Sequence, residues 1–149
     1  MVKRIIYPPI WLVFGLVAIF TLNEFSVGPR FTGTAGQIIG GIVIFLGLGL
    51  LLLAGGLFRR AGTDLVPFKN VSALVTTGVY RMTRNPMYLG MATVLLGTAI
   101  TVGIASAIIV PIAFMVIIQF RFILPEEEML RGIFPKDFPA YCEQVRRWI

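Results

Sequence analysis

The chain has 149 residues, of which 57% are apolar and only 13% charged, and its mean hydropathy is +0.89. A soluble domain carries roughly a quarter charged residues, so this composition excludes one and points to a single membrane domain spanning 1–149. The net charge of +6 comes without a basic run interleaved with aromatics, so no nucleic acid is expected as a partner. With one cysteine, Cys142, and no histidine, a single chain cannot build a disulfide framework, a Cys/His zinc site or a His-based triad. Any chemistry here must work without an imidazole.

Lys3 and Arg4 precede an apolar stretch, Ile5 to Leu22, with Pro8-Pro9 near its start. No small-residue cleavage site follows, so it reads as a retained first membrane helix. Asn23 to Ala35 is a loop marked by Gly28-Pro29 and Gly33. Gln37 to Phe58 supplies the 20 or so apolar residues that a hydrocarbon layer of about 30 Å requires. Its glycines, Gly36 with Gly40 and then Gly41, Gly47, Gly49, Gly55 and Gly56, suit close approach of another helix. Arg59 to Thr83 is a polar connection of 25 residues, long for a link between helices. Pro86 to Gln119 is too long for one span. It divides at the uncharged Thr101–Ser106 into helices expected at Pro86–Thr101 and Ala105–Leu124, a hairpin whose second arm Pro111 can kink.

Beyond Arg121 the chain leaves the membrane. Pro125 opens the acidic cluster Glu126-Glu127-Glu128, on a short helix that Gly132 stops, and another helix starts near Asp137. Phe134, Phe138, Tyr141, Val145 and Trp148 recur at helical spacing, opposed by Glu143, Gln144, Arg146 and Arg147. That pattern predicts an amphipathic helix on the bilayer or over the bundle. The fold class expected is therefore all-α and integral to the membrane, with four transmembrane helices and C-terminal amphipathic helices. Four spans place twelve of the 13 Lys and Arg on one side and only Arg30 on the other. The positive-inside rule then puts both termini and the long loop in the cytoplasm.

Leu74 to Gly90, LVTTGVYRMTRNPMYLG, is the stretch that is not simply greasy. Pro86 suits the first position of a helix, and Asn85 before it suits the N-cap. Free N–H groups at such an end, with the helix dipole, favour an anionic or polar ligand, whereas the plainer reading is a capped helix start among interfacial residues. An antiparallel third and fourth helix bring this stretch beside Glu126–Glu128. Three consecutive carboxylates repel one another unless something compensates them.

GTDLVP (Gly62 to Pro67), LVTTGVYRMTRNPMYLG, PEEEMLR (Pro125 to Arg131) and YCEQVRRWI (Tyr141 to Ile149) resemble, in order and spacing, the isoprenylcysteine carboxyl methyltransferase family. That family sits with the phospholipid methyltransferases among integral-membrane enzymes that use S-adenosylmethionine. The chain is similar to a short, bacterial-type member, which implies a bacterial or archaeal inner membrane. The resemblance covers about the C-terminal 90 residues. It implies a cytoplasmic pocket for S-adenosyl-L-methionine, contacted by Ser72, Ala73, Leu74, Val75, Tyr80, Asn85, Pro86, Met87, Tyr88, Glu126 and Tyr141. It implies catalytic roles for Glu127, second of the glutamate pair, and for Arg121, the arginine nearest to one that faces a substrate carboxylate. The chain departs from the family at Asn85, where better-known members have histidine, and at Phe134-Pro135 and Asp137-Phe138, which replace FG and EY.

Methyl transfer from a sulfonium to oxygen needs alignment and exclusion of water, a positioning effect worth about 7–11 kcal/mol at best. A carboxylate acceptor is already deprotonated at neutral pH, which is compatible with the missing histidine. An amine would need a base such as Glu127. The expected activity is O-methylation of a carboxylate on a lipid-like or prenylated acceptor. Alternatives are an N-methyltransferase of phospholipid headgroups, a relative of the NADPH-dependent membrane steroid reductases, and a non-catalytic scaffold using the glycine-rich second helix.

Overall fold

Proline decides where two of the helices begin. Pro8 opens α1 (Pro8–Glu24) and Pro86 opens α3 (Pro86–Val102), each at a first-turn position where the absent N–H costs nothing. This computed structural model describes residues 7–31, 33–62 and 73–149, and among them every regular element is helical. Between these two lies α2 (Thr34–Arg60). After α3 a 3-10 turn, Ala105–Ile108, leads into α4 (Ile109–Ile118), a π turn at Gln119–Ile123, and α5 (Leu124–Ile133). A short α6 (Asp137–Gln144) follows.

The split of the long apolar run falls where the residues place it. Gly103 ends α3 in the left-handed conformation at φ 74°, and the chain turns straight into the next helix. The end of that helix differs from expectation. It does not stop near Leu124 but runs on through α5, so that Ala105–Ile133 is one helical segment of 29 residues. The π turn is the physical reason. Its wider ring absorbs Pro125, which lacks the N–H a regular α-helix would need. Pro111 sits in the first turn of α4, where it need not bend anything.

The helices α2 and α3 pack antiparallel along a seam of glycines. A Cβ at Gly40 would stand 2.7 Å from the Gly97 carbonyl oxygen, and one at Gly97 would stand 2.7 Å from the Gly40 oxygen. Two turns along, Gly47 and Gly90 repeat the arrangement at 2.9 and 3.0 Å. Backbones this close gain van der Waals and Cα–H···O contact that larger residues would forbid. A Cβ at Gly41, Gly49, Gly55 or Gly56 would meet nothing within 4 Å among the described residues, so only part of the glycine-rich character of α2 serves this seam.

Leu95, Ile118 and Ile123 are fully buried with Ile19, in a core shared by α1, α3 and the α4–α5 segment. At one end of the bundle the 25–31 loop is stitched to the α3–α4 turn. The Phe31 N–H donates to the Gly103 oxygen at 2.9 Å, and the Ala105 N–H donates to the Pro29 oxygen at 3.0 Å. The described part of the Leu74–Gly90 stretch before α3, the glutamates of α5 and the C-terminal tail gather at the other end. The helical segments Thr34–Arg60 and Ala105–Ile133 are long and apolar enough to cross a bilayer, while α1 and α3 are shorter apolar helices of 17 residues. Phe45, Leu46, Leu52 and Leu53 of α2 point outward.

Candidate functional site

The stretch before α3 is shaped by Gly78, whose φ of 60° starts a 3-10 turn, Gly78–Arg81. This turn drives Tyr80 inward, where its ring lies 5.3 Å from that of Phe58. Three successive residues then bind the C-terminal tail. The Thr83 hydroxyl donates to the Arg147 carbonyl at 3.2 Å, the Arg84 N–H donates to the Arg146 carbonyl at 3.0 Å, and the Asn85 side-chain amide donates to the Arg147 carbonyl at 3.0 Å. Asn85 occupies the N-cap position, but its side chain does not cap α3. That expectation is corrected: the amide is spent on the tail, and the Thr83 hydroxyl accepts the Asn85 N–H at 3.1 Å.

The acidic cluster meets this stretch from α5. The Tyr88 hydroxyl, one turn into α3, donates to Glu126 at 3.1 Å. Glu127 is only 6% exposed and takes Arg147 in a two-pronged pair, Nε at 3.0 Å and Nη2 at 2.8 Å. Arg84 Nη2 approaches the same carboxylate at 3.3 Å. Hydrogen bonding to Glu127 is the main influence that pushes the Arg147 pKa upward and keeps it charged. Glu128 is exposed. The repulsion expected among three adjacent carboxylates is thus relieved one residue at a time: a phenol for Glu126, two guanidiniums for Glu127, solvent for Glu128.

The closing segment does not form one continuous stripe. The helix α6 ends at Gln144, and Val145 is extended at φ −127°, ψ 130°. Phe138, Tyr141 and Val145 pack with Leu74, Leu130 and Phe134, whereas Trp148 joins the main core and donates its indole N–H to Gln119 Oε1 at 2.8 Å. The extended residue re-aims the chain, so Arg147, expected on the polar face, turns in to Glu127. The Tyr141 hydroxyl donates to the Tyr80 carbonyl at 2.6 Å, and burial pushes its pKa up to about 12, so it remains a donor throughout the neutral range. Burial, then the nearby Glu126, raises Tyr80 as well. An open groove of about 470 Å³ runs beside Tyr141, lined by Leu74, Thr76, Phe134, Asp137 and Gln144. Replacing Tyr141 by phenylalanine leaves the buried Tyr80 carbonyl without this donor and is expected to lower stability by about 1–2 kcal/mol, measurable as a shift in thermal unfolding in detergent.

Of the residues expected at a cofactor site, Tyr80, Asn85, Tyr88, Glu126 and Tyr141 converge at this end, with Pro86 buried and Met87 half-buried between them. Leu74 lines the groove, flanked in sequence by the half-buried Ala73 and Val75. Ser72, like most of GTDLVP, lies outside the described residues. Arg121 stands apart from the carboxylates: it is exposed, with its guanidinium 5.8 Å from the centroid of the Trp11 ring. Sequence reasoning expected the arginines of the Leu74–Gly90 stretch to meet the carboxylates, as Arg84 does, and missed Arg147, Thr83 and Gln119 as partners in the site. Three adjacent carboxylates in need of compensation were the available signal for Arg147.

A comparison with curated proteins gives no match. A family model described as phospholipid methyltransferase matches residues 35–137, from the start of α2 to the start of α6, and so takes in both the Tyr80–Tyr88 stretch and the glutamates. With more than two thirds of its length matched, the chain belongs to the phospholipid methyltransferase family, a group of membrane methyltransferases.

Proposed function

We propose that the protein is an S-adenosylmethionine-dependent methyltransferase whose site lies at the cytoplasmic end of four membrane-spanning helices, α1, α2, α3 and the α4–α5 segment. One observation carries this reading. Two polar patches far apart in the chain share a location, joined by Tyr88–Glu126 at 3.1 Å and Arg84–Glu127 at 3.3 Å. The charge distribution supports the orientation. Arg59 and Arg60 end α2 and Arg84 precedes α3, and all share this end with Arg147, whereas Arg30 lies at the other, bonded to Asn23 at 3.1 Å. Helices of 17 residues sit at the short limit for a span, about 26 Å.

The residues present fit the cofactor. Tyr88 holds a carboxylate, Glu126, which suits both ribose hydroxyls and a cationic sulfonium, while Leu74 and Tyr141 border an open groove at the same end of the bundle. When bound, S-adenosylmethionine supplies a methyl group on a positively charged sulfur. The chain's own residues hold and orient. Tyr88 fixes the Glu126 carboxylate, α6 and the tail exclude water from one side, and the exposed Arg121 guanidinium attracts the anionic head of an acceptor arriving from the lipid. Both oxygens of Glu127 are engaged by arginines, so it organises the site and is not placed to remove a proton. That favours an acceptor needing no base, the carboxylate of a lipid-like, isoprenylcysteine-type molecule. N-methylation of a phospholipid amine is the second reading, favoured by the family match.

The test is calorimetry of S-adenosylhomocysteine on the detergent-purified protein, followed by transfer of labelled methyl groups. Label should enter a prenylated cysteine analogue; label in phosphatidylethanolamine instead decides for the amine. Glu126→Ala is expected to weaken cofactor binding about tenfold or more, through loss of a hydrogen-bonded charge, with Glu128→Ala within about twofold of the parent. Equal effects of the two substitutions would reduce the acidic cluster to a solvated face.

A further inference from the structure

Arg84 is more than a tie for the tail. Its side chain is 11% exposed, and its Nε–H is fully buried with no acceptor among the described residues. The Glu127 carboxylate it approaches at 3.3 Å already has shorter bonds, 3.0 and 2.8 Å, from Arg147. A buried guanidinium donor left without a partner is costly, and native structures rarely keep one that has no use. This one is also held in place. Its own N–H bonds the Arg146 carbonyl, and Thr83 and Asn85 on either side bond the Arg147 carbonyl, so the backbone cannot swing the side chain out to water. Immediately after it, α3 opens with no side-chain cap, which adds the positive end of a helix dipole to the same place. The arrangement is a preformed, partly neutralised cation with a spare donor, and it suits a carboxylate better than a bulky dianion.

We propose that Arg84 receives the α-carboxylate of the methionine portion of S-adenosylmethionine. This rests on the reading of the site as a cofactor pocket, in which the adenosine and sulfonium are left to Tyr80, Tyr88 and Glu126. The guanidinium binds one end of the cofactor and fixes its lengthwise register, which in turn decides where the methyl group is presented.

The measurement is calorimetry with two probes, S-adenosylhomocysteine and 5′-methylthioadenosine, which keeps the adenosine and thioether but lacks the amino-acid portion. Arg84→Gln is expected to weaken the first probe by roughly 10- to 100-fold and the second by less than about twofold. Parallel loss of both probes shows a structural role only and overturns the inference, as does no loss of either. The unaltered protein provides an arm that does not depend on folding of the variant: decarboxylated S-adenosylmethionine should bind it roughly tenfold or more weakly than S-adenosylmethionine. Equal affinity overturns the carboxylate assignment while leaving the methyltransferase reading intact. Failure of the unaltered protein to bind any of these nucleosides overturns both.

Discussion

Glu127→Ala is expected to release the C-terminal tail from the bundle. The substitution removes the carboxylate that Arg147 grips with two bonds and that Arg84 approaches at 3.3 Å, so two guanidiniums lose their counter-charge together. Removing one partner of a buried ion pair costs about 3–5 kcal/mol, and because Arg147 is 32% exposed the lower end of that range applies. The hydrogen bonds from Thr83, Arg84 and Asn85 to the Arg146 and Arg147 carbonyls, each worth only about 1 kcal/mol net, and the Trp148 contacts with the core and Gln119 are then what holds the tail. Faster amide exchange at Arg84, whose N–H bonds the Arg146 carbonyl, and rapid tryptic cleavage after Arg146 and Arg147 are the readouts. Unchanged exchange and cleavage would mean the clamp does not hold the tail. Glu127→Gln should fall between, since an amide can still accept from one arginine.

The glycine seam gives the second large effect. Leucine at Gly97 would place its Cβ 2.7 Å from the Gly40 oxygen and from the Ile44 nitrogen, both backbone atoms that no side-chain rotation can clear. The helices must separate, and the cost is expected at the top of the usual range for overpacking, about 3 kcal/mol or more. Gly41→Leu, one residue along from the seam on α2, has nothing within 4 Å among the described residues and should be nearly silent. Melting temperatures in detergent compare the two; similar values would show that α2 and α3 are not held by close backbone contact. Because Gly90 of the same seam stands two residues beyond Tyr88, spreading the seam is also expected to displace Tyr88 from Glu126.

Much of the site was readable as composition and local chemistry. Pro86 after Asn85 marked the start of α3, the uncharged Thr101–Ser106 marked its end, and the stretch before α3 was expected beside the glutamates, where Tyr88 meets Glu126. The reason is that apolar length, proline and glycine act within a few residues of themselves. What escaped was how polar groups are shared. Asn85 looked like a helix cap because the sequence shows only its neighbours, whereas its partner lies 62 residues away. Glu127 looked like the catalytic second member of a glutamate pair, and Arg147 like part of the polar face of a helix.

The amino-acid sequence alone determined that this is a helical, lipid-adapted chain with a polar patch at one end, because burial of apolar length and the backbone limits of proline and glycine are local and additive. Tertiary structure decided that Glu127 is a clamp, that Asn85 serves the tail and that Arg84 keeps an unspent donor. Those outcomes depend on the rotation of α5 after its π turn and on the direction the chain takes at the extended Val145. A shift of one residue in either would hand each carboxylate a different partner, and no spacing rule within a single segment specifies that register.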